Sequence, residues 1–343
     1  MKKILVVSSI LCIGAFALPD SARAGATVDA IKARGNVVCA ANGNRMGISA
    51  LDSKGEWQGL DVDTCRAVAA AVLGDAKKAQ FLKTTSQTRF TVLQTGEVDI
   101  MTANATWTLS RDTKLGVDFV TPTFHDGQGI MINKKLGVKS PKELNGATVC
   151  VTPGSTSEKI AGDLQRSLGI KLTLIVIENM KELNTAFFSG RCDVHIQSTS
   201  GLSANRAAVA TNPEDFIILP GIYGKDPMGP VVRQGDDQWR DIVNWTVFAM
   251  IGAEELGITS KNVDEMLKSE DPSIKRFLGV TPGFGKAVGV DEKWMYNVIK
   301  QVGNYGESYE RNVGPNTPLA IPRDGSLNAL WTKGGLMYTP PFR

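Results

Sequence analysis

The chain has 343 residues, is 42% hydrophobic and 21% charged, and carries a net charge of +3. That length exceeds one typical domain and accommodates two lobes of ordinary size. No basic stripe marks a nucleic-acid partner, so none is expected. Lys2 and Lys3 precede an apolar run from Ile4 to Leu18, and Ala22-Arg-Ala24 offers a small-x-small cleavage site before Gly25. The run is shorter than the roughly 20 residues that span a membrane. Leu11 stands before Cys12 where a lipidation motif wants a small residue. A signal peptide over 1–24, cleaved after Ala24, is expected, leaving a soluble chain with a charge of about +1. The cysteines that remain, Cys39, Cys65, Cys150 and Cys192, form an even set that favours disulfides and allows three connectivities. With no CxxC spacing and only His125 and His195, no metal and no cofactor is expected.

Taken in order, a short helix (Val28 to Ala33) leads into a first strand, Asn36 to Ala40. A Gly-rich loop, Asn42 to Gly47, and a turn, Asp52 to Gly55, come next. Leu60 to Leu73 carries apolar residues at helical spacing and ends at Gly74. Asp61 and Asp63 lie in the first turn of that helix, where acidic residues complement the dipole, and that role is assigned to them. A second strand, Gln80 to Lys83, and an amphipathic helix from Arg89 to Gly96 repeat the unit. Alternating strands and helices imply a mostly parallel sheet with ligands at the carboxyl ends of its strands. One such end is the run Asp99-Ile-Met-Thr-Ala-Asn-Ala-Thr-Trp-Thr-Leu-Ser-Arg111, a short apolar strand followed by hydroxyl and amide residues. Thr108 reads as an N-cap, leaving free helical N–H groups beside the Arg111 guanidinium. Convergent donors with a planar fork suit a carboxylate.

The blocks Glu97-Val-Asp99, Thr106-Trp-Thr-Leu-Ser-Arg-Asp112, Val117-Asp-Phe-Val-Thr-Pro122 and Gly55-Glu-Trp-Gln-Gly-Leu-Asp-Val-Asp63 resemble the solute-binding proteins of amino-acid ABC transporters. The match is to family 3 of the type II periplasmic binding proteins, in its general L-amino-acid-binding subgroup. The resemblance implies an α/β two-lobe fold, each lobe a mostly parallel sheet flanked by helices, joined by a two-strand hinge. It gives Arg111 the ligand α-carboxylate, with Thr106 helping and Asn104 nearby. Arg89 is a weaker ligand candidate, its plainer role being a salt bridge.

Further along, Ile130 to Asn133 reads as a strand leaving the first lobe and Ser140-Pro-Lys-Glu-Leu as a capped helix start. Ala147 to Val151 is a strand, and the loop Thr152-Pro-Gly154 feeds a helix running to Gly169, with Ser155 and Glu158 as a capping box. The resemblance makes this loop the counterpart of the Arg111 loop, with Ser155 and Thr156 as contacts. A strand (Leu172 to Ile177), a helix (Met180 to Ser189, closed by Gly190) and a strand (Arg191 to Gln197) follow. At the end of the last, the family usually carries an Asp for the ligand ammonium, and here stands Ser198. Asp226, or carbonyls of the Thr152 to Gly154 loop, would substitute, while Arg45 adds a cation to the first-strand loop. An extra cation and a missing anion favour an acidic or non-amino ligand.

Phe216 to Leu219 and Met228 to Arg233 read as strands, and crossings near Gly127–Met131 and Pro227–Val231 would make the hinge. Residues 25–128 and 231–343 would form lobe 1 and 129–230 lobe 2, which places Cys39–Cys65 and Cys150–Cys192 each within one lobe. Such bonds stabilise by roughly 3–4 kcal/mol each. From Asp237 the chain reads as helical with breaks. Trp294 to Glu307 and Leu327 to Tyr338 resemble the subgroup's C-terminal signatures, their aromatics expected in the core. The function expected is extracytoplasmic binding of a small carboxylate-bearing solute and delivery to an ABC permease by a monomer, without turnover. The rivals are a periplasmic dehydratase of the cyclohexadienyl type, using Asp226, Asp193 or Glu158, and a ligand-loaded adaptor for a membrane sensor.

Overall fold

The computed structural model describes residues 25–343, so the expected signal peptide over 1–24, its expected cleavage after Ala24 and Cys12 lie outside the described residues. The chain opens with α1 (Ala26–Arg34) and β1 (Val37–Ala41). A small flap follows, made of β2 (Asn44–Arg45), β3 (Ser49–Leu51) and β4 (Trp57–Gln58). Next comes α2 (Leu60–Leu73), of whose fourteen residues all but Arg66 and Leu73 are buried. The composition explains this. Val62, Cys65, Val68 and Val72 supply one bulky face, while Ala67, Ala70 and Ala71 let a second layer approach the other side closely. Gly74 ends the helix in the left-handed region, its N–H returning to the Ala70 carbonyl.

β5 (Ala79–Lys83), α3 (Arg89–Gln94), β6 (Ile100–Met101), α4 (Leu109–Lys114) and β7 (Val117–Phe119) complete the first pass, and β8 (Phe124–Asn133) leaves it. The second half runs β9 (Thr148–Val151), α5 (Thr156–Leu168), β10 (Thr173–Val176), α6 (Met180–Phe188), β11 (Val194–Ser198), α7 (Thr199–Val209) and β12 (Phe216–Ile218). β13 (Lys225–Met228) and β14 (Val231–Arg233) return. The two sheets share one plan, β5-β1-β6-β14-β7 and β10-β9-β11-β8-β12. In each, three parallel strands are followed by one antiparallel strand supplied by the other pass of the chain. β1 therefore corresponds to β9, and β6 to β11. Between the sheets β8 and β13 form an antiparallel ribbon, Phe124–Gly127 against Lys225–Met228. The crossings read from sequence overlap the ends of this ribbon.

Both disulfides join the expected partners, Cys39–Cys65 between β1 and α2 with Cα atoms 6.3 Å apart, and Cys150–Cys192 with Cα atoms 5.6 Å apart. All four cysteines of the described chain are thereby used, which leaves no thiolate for zinc.

The C-terminal third is a helical layer over α2: α8 (Asp237–Glu255), α9 (Val263–Met266), α10 (Pro272–Phe277), α11 (Phe284–Val288), α12 (Trp294–Val302) and α13 (Tyr305–Asn312). Asp63 anchors it, accepting hydrogen bonds from Ser308 Oγ at 2.6 Å, Arg311 at 2.6 Å and Asn312 Nδ2 at 2.7 Å. The dipole role assigned to Asp63 from sequence is thus overtaken by a buried polar tie between layers. The layer also holds the ribbon. Asn328 donates to the His125 carbonyl at 2.9 Å and accepts its N–H at 2.7 Å, and Tyr305 donates to the Thr123 carbonyl. No described helix is long and apolar enough to cross a membrane.

Four readings change. Ser140-Pro141 starts only a single 3-10 turn, Pro141–Glu143. The segment Thr199–Val209 is an unexpected helix, because its Thr, Ser and Gly are weak helix formers and burial of Leu202 and Ala204 holds it. Helix stops at α13, and 313–343 carry just one 3-10 turn, Trp331–Lys333. Of the aromatics expected in the core, Trp294 and Tyr305 are buried, Tyr296 is half-buried, and Trp331 and Tyr338 are about half exposed.

Candidate functional site

The site sits where the parallel strands of both sheets end. Asn42 follows β1, Ser86 and Arg89 follow β5, Asn104 and Thr106 follow β6, Thr152, Ser155 and Thr156 follow β9, and Gln197 and Ser198 close β11. Gln128 and Asp226 enter from the hinge ribbon. These side chains line one cavity between the lobes, the place this topology reserves for ligands.

Thr106, from the first lobe, lines the cavity. Its hydroxyl donates to the Asp226 carboxylate and lies 3.2 Å from the Thr156 hydroxyl of the second lobe. Its neighbour Trp107 donates its N–H to the Pro227 carbonyl at 2.8 Å, so the loop after β6 is stitched to the ribbon. Asn104 takes a left-handed backbone (φ 55°), one of the residue types that tolerate it, and its N–H donates to Asp61 at 2.7 Å. Its Oδ1 is buried without a partner. Asp61 accordingly does more than complement a dipole, since it orients the turn that carries Asn104. Burial pushes its carboxyl up to about 6 against the opposing pull of that N–H, Arg89 and Arg45.

Three guanidiniums crowd the site, and each is committed differently. Arg89 makes no salt bridge. It donates to the Ala103 and Asn104 carbonyls at 2.8 Å each, leaves Nε unpaired, and is pushed down to about 9 by burial and then by Arg111. Arg111 is 5% exposed, lies over the Phe90 ring, and donates to the Thr106 carbonyl at 2.9 Å. Its second Nη reaches the Gly154 carbonyl of the other lobe at 3.1 Å, so it touches the cavity wall through its neighbours. The Thr108 cap holds it there by accepting the Arg111 N–H. Arg45, on the flap, crosses the cleft and donates to the Ser198 hydroxyl. Gly201 makes room for it, since a Cβ there would stand 2.8 Å from the Arg45 guanidinium carbon.

Asp226 is the one carboxylate among the described cavity-lining residues. It accepts Gln128 Nε2 at 2.6 Å as well as Thr106, and burial raises its carboxyl. Gln128 in turn accepts from Ser157 Oγ at 2.8 Å. Asp126, next along β8, caps α7 by accepting the Ser200 N–H at 3.2 Å. His195 is buried, with its imidazole pushed down to about 3 by burial.

Of the ligand contacts singled out from sequence, Arg45, Arg89, Asn104, Thr106, Ser155, Thr156, Ser198 and Asp226 line the cavity wall and Arg111 lies behind it. The topological partner of the Arg111 loop is the loop after β11, and the Thr152–Gly154 loop faces it from a different strand. Asp193 sits at the far end of β11, bonded to Thr148, and Glu158 accepts the Gly154 N–H, so neither offers a free acid to the cavity. Gln128, Ser157, Gln197 and Met180 were not anticipated. The Gly-Gln-Gly of 127–129 was the available signal, a lone polar side chain between glycines in an apolar strand.

The model for bacterial extracellular solute-binding proteins, family 3, matches residues 37–262. The chain belongs to that family. The general L-amino acid-binding periplasmic protein AapJ of Rhizobium johnstonii is 48% identical over 98% of this chain and 97% of its own. The glutamate/glutamine/aspartate/asparagine-binding protein BztA of Rhodobacter capsulatus is 46% identical over 95% of this chain and 96% of its own. A solved periplasmic binding protein from Brucella ovis with glutathione bound is 47% identical, has a TM-score of 0.87, and covers 92% of this chain and 99% of its own. The fold is thus that of the type II periplasmic binding proteins, and these full-length relatives of the solute-binding protein are binders.

Proposed function

We infer that this is an exported binding protein that captures an amino acid between its lobes and delivers it to an ABC importer by hinge closure. The α-carboxylate would pair with Arg111 and the Thr106 hydroxyl, with the first-turn amides of α5 at Ser155 and Thr156 completing the seat. Asp226 would meet the α-ammonium in place of the carboxylate missing at Ser198. Arg45 would face the solute's distal end, which favours an acidic or amide side chain. The observation that carries this reading is the meeting of Thr106, Thr156 and Asp226 within hydrogen-bond reach, one residue from each lobe and one from the ribbon. A solute bridging such groups favours the closed state by its contacts to both faces. The Gly154 contact of Arg111 supports the same closure, because it exists only when the lobes meet.

The relatives support the solute class, amino acids and, for the Brucella ovis protein, glutathione, and the periplasm as its place. The test is calorimetry with L-glutamate and L-glutamine on wild type and Arg111→Ala. The substitution is expected to cost about 2–5 kcal/mol, the loss seen when one partner of a buried charge pair is removed. Unchanged affinity would refute the assignment.

A further inference from the structure

Gln128 stands where three strands and a helix meet. In the β8–β11 pairing it lies directly opposite Ser198, and its side chain reaches Asp226 on β13. It is 2% exposed, and both ends of its amide are committed. Nε2 donates to Asp226 at 2.6 Å, while Oε1 accepts from Ser157 Oγ, in the first turn of α5, at 2.8 Å. The backbone is fixed as well, its N–H donating to the Gly224 carbonyl at 2.8 Å and its carbonyl accepting the Tyr223 N–H at 2.9 Å. Glycine on either side permits this packing, since a Cβ at 127 would stand 2.6 Å from Ile222 and one at 129 would stand 2.8 Å from Thr199. The amide does two things to Asp226. It fixes the plane of the carboxylate, because Thr106 holds one oxygen and Gln128 the other. It also supports the charge: burial raises the carboxyl, Asp126 adds to that, and the Thr106 and Gln128 hydrogen bonds oppose it. Each carboxylate oxygen keeps a lone pair for a further donor.

We propose that Gln128 is a positioning residue that sets Asp226 to receive the solute's ammonium and ties that receptor, through Ser157, to the α5 turn that seats the carboxylate. Its amide is a spacer between the two poles of the amino-acid head, one end on the ribbon and the other on the second lobe. The role needs a donor and an acceptor on one side chain of this reach. Methionine matches the length and supplies no donor. The inference rests on the reading of Asp226 given above and extends it to the residue that makes it work.

The experiment is a double-mutant cycle read by calorimetry with L-glutamate and with glutarate, which lacks the ammonium. It uses wild type, Gln128→Met, Asp226→Asn and the double variant, with thermal melts to confirm folding. Gln128→Met should weaken L-glutamate about tenfold, the loss of one hydrogen bond to a charged group, and glutarate by less than about twofold. In the Asp226→Asn background the same substitution should cost less than about twofold, because its target is gone. Ser157→Ala should act in the same direction, about threefold on L-glutamate, and serves if Gln128→Met fails to fold. Equal losses for the two solutes, or a tenfold loss that persists beside Asp226→Asn, would overturn the positioning role and leave the ammonium reading standing. The cycle decides alone if glutarate binds too weakly to measure. Unchanged L-glutamate affinity in Asp226→Asn itself would overturn both.

Discussion

The two lobes are built on the same strand order, yet their matching loops handle charge in opposite ways. After β6, the first lobe carries its own cation, Arg111, and braces the loop with Arg89 on two carbonyls. After β11, the second lobe presents the neutral Ser198 and receives its cation, Arg45, from across the cleft. The scaffold is thus shared and the recognition chemistry is not, which is why function must be read from loops rather than from fold. On the proposed reading the asymmetry would make closure and recognition one event. Arg45 can meet Ser198, and Arg111 can meet Gly154, only when the lobes approach, so the cations proposed to select the solute would also report the closed state.

The largest effect expected from disturbing this asymmetry comes at the ribbon. Asp226→Asn keeps the shape and removes the lone cavity-lining carboxylate, and amino-acid affinity should fall by about 2–5 kcal/mol by calorimetry. A solute lacking an ammonium, such as glutarate, should lose far less. Next in size, Ser198→Asp restores to the second lobe the anion its loop lacks. It would pair with Arg45 and withdraw that cation from the solute, shifting preference from L-glutamate toward L-glutamine by about 1–3 kcal/mol. An unchanged glutamate-to-glutamine ratio would show that Arg45 does not face the side chain.

The smallest effect is a pH dependence. Asp61, raised to about 6 by burial, holds a proton in the folded protein at pH values where the unfolded chain has released it. Its contribution to stability is therefore present at low pH and is lost as pH rises through about 6. His195, lowered to about 3 by burial, works in the other direction, losing stability as pH falls through its unfolded value near 6.5. Asp61→Asn keeps an acceptor for the Asn104 N–H and removes the first of these. Thermal melts at pH 7 and pH 5 should show the variant losing about 1 kcal/mol more than wild type on acidification. An identical pH response would place the raised carboxyl elsewhere.

Much of this was legible in the sequence because local rules governed it. Gly74 and Gly169 end their helices in the left-handed region, and Ser155 caps α5 from the position its spacing indicated. The disulfide partners followed from the lobe boundaries. What stayed hidden depends on contacts between distant residues. Asp61 and Asp63 read as first-turn acids, yet one orients Asn104 and the other anchors α13, 245 residues away at Ser308. Helix α7 was invisible because packing, not propensity, forms it. That Arg45 meets Ser198, 153 residues on, is a property of closure, which no local pattern encodes. Trp331 and Tyr338 show the converse, since aromatic content suggested a core that glycines at 334 and 335 prevent from forming a helix.

The most direct test of the central claim is a crystal structure with L-glutamate bound. The expected result is the α-carboxylate within about 3 Å of the Arg111 guanidinium and the Thr106 hydroxyl, with the ammonium on Asp226. A solute lodged elsewhere in the cleft, with Arg111 still bonded only to the Thr106 and Gly154 carbonyls, would contradict it.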